Sequence, residues 1–213
     1  SVVIPSGYDK NCPLLRKAYD SLSQESQLEV IFVEKSEAHS RAERLNIGFH
    51  RSRGEVVLFH HPRSYIEFEG IKFLVQMSQD SHRAPVWGGF IHQFDINHNI
   101  LKFTSWYSNQ VRAKRRGILY LDHCIFFDRR LWKMDLPCVD VFEDTILSCL
   151  LRKQNKPVIL PYTSTTSAIR FQKNGILQQV VLNQVLKVGY YIGYSSKKMN
   201  QAYEKGLELN STY

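Results

Sequence analysis

The chain has 213 residues, of which 43% are hydrophobic and 23% are charged, so it can bury one sizeable core. This composition excludes a disordered chain, a collagen-like chain and a small scaffold held together by disulfides. There are 28 Lys and Arg against 20 Asp and Glu, which gives a net charge of +8. Positive charge of this size favours an anionic partner, which could be a nucleotide, a nucleic acid or an acidic membrane surface.

The first 60 residues alternate short apolar runs with helical patterns. Residues 1–5, 28–33 and 55–60 predict strands, residues 13–22 predict a helix, and Ser40 is expected to cap a helix over residues 41–53. Strands that alternate with helices are typical of a parallel, doubly wound α/β sheet. In such sheets, ligands bind at the carboxyl ends of the strands. Those ends are Pro5 and Ser6, Glu34 and Lys35, and His60 and His61.

The second half of the chain is less regular. A strand is predicted from residue 87, antiparallel strands are predicted around residues 100–106, and a strand over residues 118–127 is interrupted by Asp122 and His123. Residues 142–153 predict a helix with Glu143 and Asp144 in its first turn, and residues 157–160 predict a last short strand. Residues 175–191 and 197–209 predict two final helices.

The cysteines and the apolar runs bear on the compartment. Cys12, Cys124, Cys138 and Cys149 are too far apart for a structural zinc site, and they fit reduced thiols better than a disulfide framework. No secretory leader pattern is visible, and no apolar run approaches the roughly 18 residues of a spanning helix. We therefore expect a cytoplasmic protein, and peripheral contact with a membrane stays open.

Several motifs follow one another in a recognisable order. They are Arg41-x4-Asn46-x-Gly48, Arg53-Gly54 with the strand to His60, Trp87-Gly88-Gly89-Phe90, Asp122-His123-x2-Phe126, Phe142-Glu143-Asp144 and Ser167-x2-Arg170-x4-Gly175. Over nearly the whole chain this order resembles family 2 glycosyltransferases, and most of all their compact bacterial-type subgroup. The resemblance implies a GT-A (Rossmann-like) fold, with a mixed, mainly parallel sheet flanked by helices and with C-terminal helices. It also implies transfer of a sugar from a nucleotide-diphosphate sugar to an acceptor, with inversion.

The resemblance divides the single domain, residues 1–213, into three parts. Residues 1–110 would be a nucleotide-binding half, residues 111–165 an acceptor and catalytic half, and residues 166–213 a helical C-terminal extension. Asp144 matches the position of the family's catalytic base, with Glu143 beside it. The residues expected on the nucleotide side are Pro5, Ser6, Glu34, Arg41, His60, His61 and Arg63. Trp87, Asp122 and His123 are expected on the acceptor side.

The metal motif of the family is altered. The family has an Asp at the end of the third strand, and this chain has Pro62, which cannot bind a cation. The missing carboxylate argues against Mn²⁺ or Mg²⁺, and we assign no metal ligand. Three alternatives stay open. His60 and His61 could bind a softer metal, although adjacent strand residues point to opposite faces. Arg63 could neutralise the diphosphate directly. Or transfer could be lost, leaving a catalytically inactive nucleotide-binding or scaffolding module.

The remaining basic and apolar segments suggest partners. Residues 112–116 are expected to form a mobile loop that closes over the diphosphate. Nucleic acid is the competing partner for such charge, but no known nucleic-acid-binding motif is present, which argues against it. In residues 176–188, valines alternate with glutamines, so we expect this helix to dock on the core or on a partner rather than on a membrane. The sugar, the acceptor (glycan, lipid or protein) and the oligomeric state stay open.

Overall fold

The computed structural model describes residues 1–6, 13–80 and 82–204, which form one seven-stranded sheet with helices on both faces. The strands are β1 (Val2–Pro5), β2 (Val30–Val33), β3 (Val56–Phe59), β4 (Ser64–Ile66), β5 (Trp87–Phe94), β6 (Ile125–Asp128) and β7 (Val158–Thr166). The helices are α1 (Pro13–Leu22), α2 (Arg41–Arg51), α3 (Phe68–Gln79), α4 (Asn99–Trp106), α5 (Glu143–Leu151), α6 (Ile169–Asn174), α7 (Ile176–Tyr191) and α8 (Ser196–Glu204).

The sheet has the strand order β2-β1-β3-β6-β5-β7-β4. Strand β1 runs parallel to β2 and β3, and β5 runs parallel to β7. Strand β6 is antiparallel to both β3 and β5, and β4 is antiparallel to β7. Only β4 and β6 therefore oppose the direction of the other strands. This arrangement confirms the predicted mixed, mainly parallel α/β sheet.

Side chains on the two faces of the sheet form two apolar cores. In β1, Val3 packs with residues of α2 and α5, whereas Val2 and Ile4 pack with residues of α1 and α3 on the other face. Strand β3 alternates in the same way, because successive strand residues point to opposite faces. Because β1 and β3 are buried on both faces, the sheet is a rigid support for the side chains at its edge.

Helix α2 begins with the predicted cap. The Ser40 hydroxyl accepts a hydrogen bond from the Glu43 backbone N–H at 3.1 Å, and the Glu43 carboxylate accepts one from the Ser40 N–H at 2.9 Å. The helix ends at Arg51, earlier than predicted, and Gly54 does not close it. Instead the Gly54 N–H donates to the Ser1 hydroxyl at 2.7 Å, and a Cβ on Gly54 would come within 2.6 Å of the Ser1 nitrogen.

Two predictions for residues 100–116 are wrong. The expected antiparallel strands are helix α4, which buries Leu101 and Ser105 four residues apart, and the His98 side chain accepts from the Ile100 N–H at its start. The expected mobile loop is the π-helical segment Tyr107–Arg115, in which Asn109 and Ala113 are buried. Four of the eight residues of α4 are apolar, but of these only Leu101 is buried, so the apolar pattern does not mark the buried face of the helix.

The predicted strand over residues 118–127 is also shorter in the structure. Strand β6 begins at Ile125, because Leu121–His123 form a short 3₁₀ helix and Cys124 has a positive φ of 49°. Strand β7, in contrast, is longer than predicted, since it pairs with β5 on one side and β4 on the other. The sequence patterns did not predict β4 or α3.

The C-terminal extension forms α6, α7 and α8, and the predicted end of the last helix, residues 205–209, lies outside the described residues. In α7, Ile176 and Val180 pack against a third core with Leu101 and Phe171. The other three apolar residues expected to dock, Val181, Val185 and Val188, are about 60% exposed. Docking on the core therefore holds for part of the helix only, and docking on a partner stays a prediction. None of the described helices is both long enough and apolar enough to cross a membrane.

Candidate active site

A cavity of about 170 Å³ lies at one edge of the sheet. The carboxyl ends of β3, β5 and β7 and the amino end of β6 meet there, and α6, α7 and α8 cover it. Five of the predicted site residues line it: Arg41, His61, Arg63, Asp122 and Asp144. The sequence analysis did not select His92, Tyr120, Asn183 or Lys187, which line it too. A pocket for a drug-sized ligand typically measures roughly 300–1,000 Å³, so this cavity can hold only part of such a ligand.

Asp144 lies in the first turn of α5 with 8% of its surface exposed. Its Oδ2 atom accepts a hydrogen bond from the Leu121 N–H at 3.0 Å, and Oδ1 accepts one from the Thr145 N–H at 2.6 Å. Burial and the neighbouring charge of Glu143 raise the pKa of Asp144 to about 6, although Arg41 opposes the shift. A carboxylate with this pKa is ionised at neutral pH and is a stronger base than an ordinary Asp.

Arg41 and Glu143 form an ion pair between α2 and α5. The Glu143 side chain is fully buried, and its Oε1 atom accepts a hydrogen bond from Nε of Arg41. Burial would lower the pKa of Arg41, but the charges of Glu143 and Asp144 raise it above its usual value. Glu143 lies behind the cavity rather than in its lining, so it acts on Asp144 through its charge.

Asp122 and His61 are neighbours in the cavity lining. Nε2 of His61 lies 3.7 Å from Oδ1 of Asp122, and Nδ1 of His61 accepts from the Arg63 N–H at 3.2 Å. With Nδ1 an acceptor, the proton of the neutral imidazole is on Nε2. Burial lowers the pKa of His61 well below its ordinary value. Burial also opposes the charge of Asp122, yet the surrounding His61, His92 and Arg63 hold its pKa below the usual range.

His92 lies beside this pair. It is buried, neither ring nitrogen has a hydrogen-bond partner, and burial lowers its pKa to about 4. An unpartnered imidazole in a cavity lining can donate one hydrogen bond to a ligand hydroxyl and accept another. Sequence reasoning missed His92 because it lies inside strand β5, where the apolar pattern carries the signal.

The remaining nucleotide-side predictions lie outside the cavity lining. Pro5 and Ser6 are buried at the end of β1, and Glu34 follows β2, where its N–H donates to the Glu37 carboxylate at 2.8 Å. His60 is completely buried and both of its ring nitrogens lack a hydrogen-bond partner. The structure thus brings Arg41, His61 and Arg63 together and leaves these four apart from them.

Two acceptor-side predictions lie in the interior. Trp87 is fully buried, and its indole N–H donates to the Asn155 carbonyl at 2.8 Å. His123 is also fully buried, with Nδ1 at 2.9 Å from the Phe90 carbonyl and Nε2 at 2.8 Å from the Ser108 hydroxyl. Neither lines the cavity, so Asp122 is the one acceptor-side prediction that reaches it.

The residues at the end of β3 do not fit a divalent cation. Mg²⁺ and Mn²⁺ prefer several carboxylate or carbonyl oxygens, whereas this segment offers His60, His61 and Pro62. Within the described ranges, no group of three His, Cys, Asp or Glu side chains could hold a metal ion. A softer metal shared by the two histidines does not fit either, because His60 is outside the lining to which His61 belongs.

Comparison with known proteins identifies the fold. No family model and no curated protein matches the chain. Among solved structures it is similar to S. aureus TarS 1-349, with a TM-score of 0.58 and 15% identity over 85% of this chain and 64% of that chain. A complex of TarS 1-349 with UDP-GlcNAc gives 0.58 and 14% over 78% of this chain and 57% of that chain, and TarS gives 0.58 and 14% over 87% and 39%.

The chain therefore spans less than two thirds of the length of these TarS structures. At this identity the likeness shows the fold alone, and it confirms the predicted GT-A fold. The family 2 subgroup stays a prediction.

Proposed function

We propose that this chain transfers a sugar from a nucleotide-diphosphate sugar to an acceptor hydroxyl, with Asp144 as the general base. The observation that carries the proposal is the buried Asp144 carboxylate, with its raised pKa, in a cavity at the carboxyl edge of a GT-A-type sheet. In GT-A-type and other open α/β sheets, this edge is where ligands bind. The UDP-GlcNAc bound by TarS makes that nucleotide sugar the first donor to test.

The reaction needs one proton acceptor and one site for negative charge. Asp144 takes the proton of the acceptor hydroxyl, whose oxygen then forms a bond to the anomeric carbon of the sugar. The bond between that carbon and the diphosphate oxygen breaks, and the nucleoside diphosphate leaves with the electron pair. Displacement from the opposite side inverts the anomeric centre.

Cationic side chains stabilise the leaving diphosphate in this proposal. Arg41, Arg63 and Arg112 line the cavity, and guanidinium groups bind phosphate oxygens with two parallel hydrogen bonds. Since the end of β3 does not fit a divalent cation, we route no step through a metal. The nucleoside would lie along the ends of β1 and β2, next to Ser6 and Glu34, outside the cavity lining.

The neutral imidazoles and Asp122 serve the sugar or the acceptor. His92 has two free ring nitrogens, and Asp122 has a side chain that is 34% exposed. Both can bind hydroxyl groups, which are the polar groups that a sugar presents in number.

An inactive GT-A-like binding module is the second candidate, and Pro62 is the observation that favours it. A chain that lost transfer could keep nucleotide binding. The two functions differ in one measurement, the release of UDP from UDP-GlcNAc in the presence of acceptor sugars.

The test has two parts. Thermal shift with UDP, UDP-GlcNAc and other nucleotide sugars, each with Mn²⁺ or with EDTA, is expected to show stabilisation that EDTA does not remove. Absence of stabilisation by every nucleotide would overturn both candidates. Asp144→Asn is then expected to abolish transfer and to keep UDP affinity within a few-fold. Full turnover by this variant would exclude Asp144 as the base, and UDP binding without turnover in the wild type would favour the inactive module.

A further inference from the structure

The face of helix α7 toward the protein carries polar residues beside the packed Val180 and Leu186, and several apolar residues of the helix are exposed to solvent. Gln179, Asn183 and Lys187 are spaced four residues apart, and of these Gln179 is fully buried while Asn183 and Lys187 line the cavity. Val181 and Val185, on the other face, are about 60% exposed. A helix that only covers a core would bury its apolar stripe. The polar inner face therefore needs a reason other than packing.

The inner face of α7 is held in place by a chain of amides. The Asn174 side-chain N–H donates to Oε1 of Gln179 at 2.6 Å, and the Gln179 amide donates to Oδ1 of Asn183 at 2.8 Å. The oxygen of Asn183 is thereby occupied. Its NH₂ group is left to donate to a ligand in the cavity that Asn183 lines.

Lys187 and Arg112 both line the cavity and are close enough for their charges to interact. Burial and the charge of Arg112 lower the pKa of Lys187 to about 8. Nζ of Lys187 donates only a long hydrogen bond, 3.4 Å, to Gln184, and the buried Nε of Arg112 has no partner. Within residues 1–6, 13–80 and 82–204, no ion pair joins either side chain to a carboxylate.

The guanidinium of Arg112 is fixed before any ligand arrives. Its Nη2 atom donates to the Ser108 hydroxyl, and its central carbon lies 3.3 Å from the centre of the Tyr120 ring. Two other cations of the lining already have a carboxylate partner: Arg170 binds Glu204 at 3.0 Å, and Arg41 binds Glu143. Arg112 and Lys187 thus repel each other, and an anion between them would remove that repulsion.

We propose that Asn183, Lys187 and Arg112 form a phosphate-binding subsite on the inner face of α7. Two cations and one amide donor, held by Ser108, Tyr120 and Gln179, match the oxygens of a phosphate group. The subsite deepens the proposed function. The phosphate belongs either to the diphosphate of the donor or to a second ligand, and only this choice rests on the proposed function. The C-terminal extension would then provide phosphate-binding side chains in addition to covering the cavity.

The test is calorimetric titration, in EDTA, of wild type, Lys187→Ala and Lys187→Arg with UDP, uridine and inorganic pyrophosphate. Lys197→Ala, which removes an exposed lysine of α8, is the matched control. We expect Lys187→Ala to weaken binding of UDP or pyrophosphate about tenfold or more and to leave uridine unchanged, because a charged hydrogen bond to phosphate is lost. Lys187→Arg should restore most of the affinity, and thermal melting of each variant checks its folding.

The outcomes separate the site from the proposed function. A loss for UDP assigns the subsite to the donor diphosphate. Unchanged UDP binding, with loss of pyrophosphate binding to the UDP-loaded protein, assigns it to a second phosphate-bearing ligand. Pyrophosphate binding that depends on Lys187, in a wild type that binds no UDP, would keep the subsite and overturn the proposed function. Equal binding of all ligands by Lys187→Ala and Lys197→Ala would overturn the subsite.

Discussion

Arg41 and Glu143 form their buried ion pair one residue away from Asp144, and the two charges act on Asp144 in opposite directions. Glu143 raises the pKa of Asp144 and Arg41 lowers it, with burial adding to the effect of Glu143. The two charges therefore offset each other, and burial is the dominant influence on the pKa of Asp144. Asp144 consequently combines a charge at neutral pH with a basicity above that of an ordinary Asp.

The rate of sugar transfer should rise with pH through about 6, because Asp144 must be ionised to accept a proton and its pKa is raised to about 6. The measurement is the pH dependence of kcat, supported by an NMR titration of the Asp144 carboxyl. Stability should change in the opposite sense. A carboxyl whose pKa is raised by folding favours the folded state when protonated, so this contribution is lost as pH rises from about 4 to about 6. An Asp144 titration near pH 4 would contradict both expectations.

Glu143→Gln should shift the same rate profile to lower pH. The substitution removes the negative charge that raises the pKa of Asp144 and leaves Arg41 free to lower it. It should also cost about 1–3 kcal/mol of unfolding free energy, measured in urea, because Arg41 loses a charged hydrogen-bond partner. Glu69→Gln, which breaks an exposed pair with Lys72, is the control and should change neither quantity. An unshifted profile in Glu143→Gln would show that Glu143 does not act on Asp144.

Trp87→Ala should destabilise the protein and spare the site. Trp87 is fully buried between the strands and α5, and a buried Trp replaced by Ala typically costs about 3–5 kcal/mol. The measurements are urea unfolding and UDP affinity below the melting temperature. Affinity within about twofold of wild type is expected, since the ring does not line the cavity. If the variant kept normal stability but lost ligand affinity, Trp87 would have the acceptor-side role that the sequence predicts.

The sequence predicted the regular elements well where the period of apolar residues was clear. Strands β1 and β3 are buried on both faces and helices α1, α2 and α5 each bury one apolar face, so their patterns are strong. Helix α4 and the segment Tyr107–Arg115 bury small and polar residues instead, Ser105 and Asn109 among them. Such segments carry little periodic signal, because polar groups held by hydrogen bonds replace apolar contacts.

The candidate site was predicted best for residues at the ends of helices and strands. Asp144, Asp122, Arg41 and His61 reach the cavity, whereas Trp87 and His123 are motif residues with interior roles. Gly48 is another motif residue with an interior role, since a Cβ there would come within 2.1 Å of a Val3 methyl. The inner face of α7 could not be predicted, because its polar residues line the cavity only once the helix has packed over it.

Asn46→Ala should lower both stability and transfer, although Asn46 lies outside the cavity lining. Its side chain donates to the Leu136 carbonyl at 2.8 Å and accepts from the Leu136 N–H at 2.9 Å. These two bonds tie the loop that leads into α5 to helix α2, and so they position Asp144. Removing both should cost about 1–3 kcal/mol of unfolding free energy.

The split between kcat and KM tests this positioning role. A displaced base should lower kcat and leave the KM for the donor within a few-fold, since Asn46 is outside the cavity lining and both of its side-chain hydrogen bonds go to the Leu136 backbone. Asn155→Ala is the matched control, because its amide likewise donates to a backbone carbonyl, that of Pro85, which precedes β5. It should lose comparable stability at unchanged kcat. Equal kcat in the two variants would mean that Asn46 stabilises the fold without positioning Asp144.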